Sequence, residues 1–281
     1  MKITVLCASN AAVKGIKTDR GQSFFIRAGD HNLQYGFGSG KTYLENMGKL
    51  HIYSDLVDTA FLPSGSKNDG GGIMTFLKDN RRADIYVRPA ALQPHYVRAG
   101  LGKKDVSLDK KLQLKHRLIR AKNYCVAKDG SYAVFSVSVS DSVKIAQRED
   151  FLMKDGTGAI VPDDFSHELY LLVRAGGRWA LFCGDTHASI GNVLRIAQEL
   201  VRRNLGGRVA WVIGSFGLAD AKGKRLPDAD IDAVAKDLDA LDGVAFYTGH
   251  STDEYSLARM QRVLGDRIRL YGAGSEIEIG Q

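Results

Sequence analysis

Cysteine, proline and long apolar runs are all scarce in this 281-residue chain. The three cysteines, Cys7, Cys125 and Cys183, stand far apart in apolar contexts with no CxxC pair. That spacing excludes a zinc ribbon or a disulfide framework and leaves reduced, mostly buried thiols as the expectation. Only five prolines occur and no Pro/Ser/Gly-rich linker divides the chain, so one domain over residues 1–281 is expected. With 44% hydrophobic residues, a chain of this length can bury a sizeable core. No stretch approaches the roughly 20 apolar residues that cross a bilayer, and "MKITVLCASNAAVKGI" has too short an apolar run for a signal peptide. A cytoplasmic protein with no membrane partner is the expectation.

What is present begins with charge. The net charge is +7, and nine Lys/Arg between Arg98 and Lys122 against Asp105 and Asp109 account for all of it. Such a segment is either a solvated basic face or a surface that steers an anion: a phosphorylated metabolite, an acidic protein or nucleic acid. It lacks the interleaved aromatics of a base-stacking surface, having only Tyr124 at its edge, so nucleic acid is a possible partner and not the favoured one.

Strand-like and helix-like runs alternate. "KITVLCA", "QSFFIRAG" and "HNLQYGFG" read as an opening meander, Lys41 to Met47 as a helix, "LVDTAFL" (56–62) as a strand, "GGIMTFLKDN" as a helix and "ADIYVRP" as a strand. Residues 112–139 read as hairpins, with "YAVFSVSVS" alternating at period two, and 148–168 reads as a long loop or lid. The second half reads as a hairpin, "LYLLVRAGGRWALFCG", followed by strand–helix units. In "NVLRIAQELVRRNL" the apolar positions 193, 194, 196, 197, 200 and 201 share one helix face. Two halves of this kind imply two mixed sheets packed face to face with helices outside, a four-layer α/β/β/α sandwich. The loops "SGSKND", "GDTHASIG", "GSFGLAD" and "TGHSTDE" then fall together at the carboxyl ends of strands.

"YGFGSGKTY" invites a phosphate-loop reading, but the first glycine of that motif would sit at Tyr35, and no βαβ unit surrounds it. His187 and His250 each stand just past an apolar strand. Either is a hydrogen-bonded structural residue or a functional imidazole, and Asp185 is placed to orient His187 or to bind a cation.

The glycine-rich stretch "LPSGSKNDGGGI" (62–73) aims Ser64, Ser66, Asn68 and Asp69 at one point, although serine and asparagine bind transition metals poorly. The order of these loops resembles the metallo-β-lactamase superfamily, in particular its branch of dihydropterin ribofuranosyl-aminobenzene phosphate synthases. There the first metal loop reads roughly L-S-H-G-H-x-D-H-x-G-G-L. In this chain the glycines and apolar flanks of that loop match, while Ser64, Ser66, Asn68 and Asp69 stand at the histidine and aspartate positions. "CGDTHASIGNVL" is similar to the family's G-C-S-H-x-G-I-x-N and keeps His187. "TGHSTDE" resembles its H-C-T-G and keeps His250, with Thr252 among the loop's polar residues. "IGSFGLAD" has Gly217, and "YVRP" Arg88, where the family has histidine.

The resemblance implies the sandwich fold and a cleft built for a binuclear metal centre, with most of its ligands replaced. A protein that has lost di-zinc chemistry and keeps the cleft for an anionic, phosphate-bearing small molecule is the leading expectation. Ser64, Ser66, Asn68, Arg88 and Thr252 are then the binding residues, Arg88 taking phosphate bidentately. No tightly bound cofactor is expected; one weakly bound divalent metal on Asp69, His187 and His250 stays open. The alternative is a working hydrolase or transferase using one metal or none, with His187 or His250 as base and Asp185 as orienter. A third reading is an interaction module acting through the basic segment.

Overall fold

Strands form where apolar side chains alternate, because successive residues then serve two different cores. In β1 (Lys2–Cys7) Ile3 and Val5 enter one apolar cluster and Leu6 and Cys7 another, the alternation shifting at a bulge between Val5 and Cys7. β2 (Ser23–Ala28) and β3 (His31–Tyr35) complete the meander expected from the sequence. The structure is a computed structural model and describes residues 1–137, 139, 148–220 and 223–280.

α1 (Thr42–Lys49), β4 (Thr59–Phe61), the single-turn α2 (Lys67–Gly70), α3 (Ile73–Asp79) and β5 (Asp84–Val87) follow. The expected strand over 56–62 is shorter because Ser54–Leu56 forms a 3-10 turn at its start. β6 (His95–Ala99) and β7 (Gly102–Asp105) make a hairpin, and β8 (Leu118–Arg120) pairs in parallel with β5 instead of folding back as a hairpin. β9 (Tyr124–Val126) and β10 (Tyr132–Phe135) are the antiparallel pair expected there. Part of the expected strand "YAVFSVSVS", at 138 and 140, lies outside the described residues.

The segment 148–168 departs from the loop expectation. Phe151–Lys154 (β11) and Ile160–Pro162 (β12) pair across the turn Asp155–Gly158, where the Asp155 carboxylate accepts from the backbone N–H of Thr157 and Ala159. The D-G-T-G turn chemistry was present in the sequence and marks a hairpin. The second half runs β13 (Tyr170–Ala175), β14 (Arg178–Cys183), α4 (Ile190–Leu200), β15 (Val209–Gly214), α5 (Asp228–Asp239), β16 (Ala245–Thr248), α6 (Glu254–Leu264), β17 (Ile268–Leu270) and β18 (Glu276–Glu278).

One seven-stranded sheet has the order β18-β1-β2-β3-β4-β5-β8, the other β17-β16-β15-β14-β13-β10-β9. Ile3, Phe24, Leu33, Leu171, Phe182 and Ile213 from both sheets fill one apolar layer between them. Leu181, Val193, Leu194, Ile231, Ala235 and Met260 pack α4, α5 and α6 on the outer face of the second sheet. Phe25, Tyr43, Met47, Ile73 and Phe76 do the same for α1 and α3 on the first. This is the α/β/β/α sandwich expected. Each fully buried large apolar side chain in these layers contributes roughly 1.5–3 kcal/mol. A third, four-stranded sheet, β12-β11-β6-β7, was not expected. Among the described residues no helix is long and apolar enough to cross a membrane.

Candidate active site

A cleft of about 930 Å³ opens where the parallel strands end, lined by the loops after β4, β14, β15 and β16 and by the third sheet. Four imidazoles reach it: His95, His167, His187 and His250. The sequence reading found two of them.

His187 follows β14, and its ring is held by a carboxylate it was not expected to meet. Glu168, 1% exposed, accepts the His187 backbone N–H at 2.8 Å and lies 3.1 Å from its ring Nδ1. The Tyr170 hydroxyl donates to the other Glu168 oxygen, as does the backbone N–H of Ala188. Burial alone would lower the His187 pKa, but the Glu168 hydrogen bond and charge, with help from Asp185 and Asp69, outweigh it and raise it to about 9. Phe165 stacks on the ring at 5.2 Å and Phe151 of β11 covers it at 4.3 Å. Glu168 was legible in principle. β13 and β14 form a hairpin, so the residue before its first strand must lie beside the residues after its second.

Asp185 orients His250 and not His187: its Oδ1 lies 2.9 Å from His250 Nε2. Burial would push Asp185 up, yet the neighbouring His250 holds it down at about 2. His250 is raised correspondingly, the Asp185 charge overcoming desolvation. Asp69 lies beneath, fully buried, its Oδ2 accepting from Ser64 Oγ at 2.8 Å and from the Asp185 backbone N–H at 3.4 Å. Desolvation, then the charge of Asp185, raise its pKa to about 7. Two nearby atoms, Asp69 Oδ1 and His250 Nδ1, are buried with no hydrogen-bond partner.

The expected binding residues separate. Ser66 and Asn68 line the cleft, the Ser66 hydroxyl also capping α2 through the Asn68 N–H, and Thr252 lines it while bonded to Thr248. Ser64 is 1% exposed and occupied with Asp69. Arg88 is not brought to the cleft. Its guanidinium donates to the carbonyls of Ser166 and Ala121 and to Asn123 Oδ1, and so ties three segments together. Of the nine cations in 98–122, Arg98 and Lys104 line the cleft, whereas Arg117 donates to the carbonyls of Leu77, Asn80 and Ala83.

Gly217, at a position where the resemblance has histidine, adopts φ +66°, and a Cβ there would meet the Thr186 carbonyl at 3.1 Å. Thr186 (φ 53°), Phe165 (55°), Ser189 (66°) and Ser251 (55°) hold left-handed backbone around the same cleft. For a β-branched threonine this is a strained state, and such residues persist where surrounding structure imposes them.

Among the described residues, one group of side chains stands at metal-ligand spacing. Asp69, His187 and His250 are not gathered at ligand spacing; among the described residues, His95, Asp163 and His167 are, with candidate ligand atoms within 4.8 Å of one another. The three side chains of that group also hydrogen-bond to one another. The Gly65 backbone N–H donates to His167 Nδ1, which leaves the ring proton on Nε2, 3.4 Å from Asp163 Oδ2. A metal on Nε2 would have to displace that proton and turn Nδ1 into a donor facing another donor. His95 sets Nδ1 2.9 Å from the same Asp163 oxygen and Nε2 3.0 Å from the Ala90 carbonyl. Burial raises Asp163, but the two imidazoles outweigh it and hold it well below the usual carboxylate range.

No protein-family model matches the sequence, and no curated protein matches it. Solved structures do match. Tm1679, described as a metal-dependent hydrolase of the β-lactamase superfamily, superposes with a TM-score of 0.82 at 20% identity over 100% of both chains. YhfI from Bacillus subtilis, a metallo-β-lactamase fold protein, gives 0.58 at 10% identity over 99% of each chain. Zn2+-bound PqqB from Methylobacterium extorquens gives 0.55 at 12% over 99% of this chain and 100% of its own. At these identities the likeness is one of backbone, and it establishes that the chain has the metallo-β-lactamase fold.

Proposed function

We propose that the cleft catalyses hydrolysis or group transfer on an anionic small molecule by proton transfer between its own side chains. One observation carries this reading: two imidazoles on two loops of one cleft, His187 and His250, are each backed by a buried carboxylate, Glu168 and Asp185. A buried carboxylate behind an imidazole fixes its orientation and stabilises its charged form, which is what acid–base catalysis requires. With its pKa raised to about 9, His187 is charged at neutral pH and acts as proton donor and as partner for developing negative charge. Asp69, raised to about 7, shares charge with Asp185 and His250, and this coupled trio is the proton acceptor for an attacking water or hydroxyl.

The test is a panel of phosphate mono- and diesters and carboxylate esters, with the pH profile of kcat/KM for any that turn over. A bell between about 7 and about 9 is expected, and His187→Gln should remove the alkaline limb while His250→Gln removes turnover. Full turnover in both variants would end the reading. A second reading, a cleft that binds its anion without chemistry, is favoured by the replacement of the loop's histidine positions by Ser64, Ser66 and Asp69. Binding without turnover across the panel would establish it.

A further inference from the structure

We infer that the ligand of this cleft carries a phosphate group and that Arg20, Lys67 and Lys104 bind it, side-chain cations standing in for metal at the mouth of the loop 64–69. The inference rests on the proposed function only in taking the same cleft as the site. All three residues line the cleft, and among the described residues none of them forms a salt bridge, although the Lys67 charge reaches Asp105. Other cations lining it are engaged: Arg225 pairs with Asp253 and stacks on Tyr255, and Arg98 donates to the Glu149 carbonyl.

The backbone brings the three together. The Lys67 N–H donates to the Val106 carbonyl at 2.9 Å, and Ser66 bridges Ser107, so the end of β7 carrying Lys104 runs beside the loop. Gly21 packs so closely on the Asn68 carbonyl that a Cβ there would lie 1.7 Å from it, which sets Arg20 against the same loop. The acids neighbouring these three cations are two carboxylates, Asp19 and Asp105. Asp19 turns one oxygen to the N–H groups of Gly21 and Ser39, and Asp105 accepts the Ser107 N–H.

Three cations suit a dianion better than a monoanion, and an arginine beside lysines suits tetrahedral oxyanions. A phosphate fills a small part of about 930 Å³, so the ligand has an organic remainder, for which Tyr96, Val97 and Phe151 supply an apolar wall. Neutral Asn68, on the same loop, adds a hydrogen-bonding group without opposing charge.

The test is calorimetric titration of the whole chain with inorganic phosphate, pyrophosphate and acetate at low ionic strength, with and without chelator. Phosphate and pyrophosphate should bind at least about 10-fold more tightly than acetate, unaffected by chelator. Lys67→Ala, Arg20→Ala and Lys104→Ala should each weaken phosphate about 10-fold, the loss of one charge-assisted hydrogen bond. Their melting temperatures should stay at the wild-type value, since all three side chains are exposed. Equal affinity for acetate, unchanged phosphate binding in the three variants, or loss of binding with chelator would each overturn the inference. Failure of the proposed chemistry looks different: no ester turned over while Lys67→Ala still weakens phosphate.

Discussion

Glu168 holds His187 twice, through the backbone N–H at 2.8 Å and the ring Nδ1 at 3.1 Å, so a single buried carboxylate sets both the path of the loop after β14 and the charge of its imidazole. A histidine raised to about 9 in the folded state contributes stability that is complete below its unfolded value, near 6.5, and is lost as pH rises through 9. Glu168→Gln should flatten the fall in melting temperature between pH 6.5 and 9. It should also move the His187 ring titration, followed by NMR, down by at least about one pH unit. A titration that stays near 9 in the variant would assign the shift to Asp185 and Asp69 instead.

Asp69 has the same sign in a lower pH window. Its carboxyl, raised to about 7, favours the folded state when protonated, and that advantage is lost as pH climbs from about 4 to about 7. Asp69→Asn should therefore gain on the wild type across that window in thermal unfolding and hold a constant lead above it. A variant less stable than wild type at pH 8 would show the Asp69 anion to be a needed counter-ion for His250.

Chelator should leave the melting temperature unchanged, and added zinc should not raise it. A site saturated at 100 times its Kd would add about 2.7 kcal/mol, an easily seen shift. Stoichiometric zinc that survives dialysis and is lost in Asp163→Ala would place a metal on the His95–Asp163–His167 group after all.

Arg88→Met should destabilise the fold by roughly 1.5–3 kcal/mol in denaturant unfolding, because it removes donors from the Ser166 and Ala121 carbonyls and from Asn123. Phosphate affinity of the folded variant should be unchanged. A large loss of affinity at wild-type stability would return Arg88 to the cleft.

Gly217→His, which restores the residue the resemblance would place there, should cost about 1–2 kcal/mol through its left-handed backbone alone. Gly217→Asn should cost less. Equal melting temperatures for the two would mean that the loop rearranges.

The layers of the fold were legible because alternation such as Ile3/Val5 against Leu6/Cys7 follows from local geometry, and because the helix from Ile190 shows its buried face in the spacing of Val193, Leu194 and Ala197. His187 and His250 were legible as polar residues just past apolar strands. His95, Asp163 and His167 were not, since their roles depend on which segments cross the cleft. "PDDFSHE" reads as a polar loop until the hairpin after it is folded back. Arg88 shows the converse. A cation at a strand end looks like a ligand-binding group from the sequence, whereas its donors answer three acceptors that the fold alone brings into reach.

The small sheet β12-β11-β6-β7 is assembled from two separate excursions of the chain, and both arrive at the cleft. Neither supplies a strand to the two large sheets. Residues 95–107 and 151–163 therefore form a cassette added to the two-sheet core and tied to it by Phe151 and by the Lys67–Val106 backbone bond. Because the cassette carries His95, Lys104, Phe151 and Asp163, a change in what this scaffold accepts can be written in two short stretches of sequence while the imidazoles of the parallel-strand loops, His187 and His250, stay where they are.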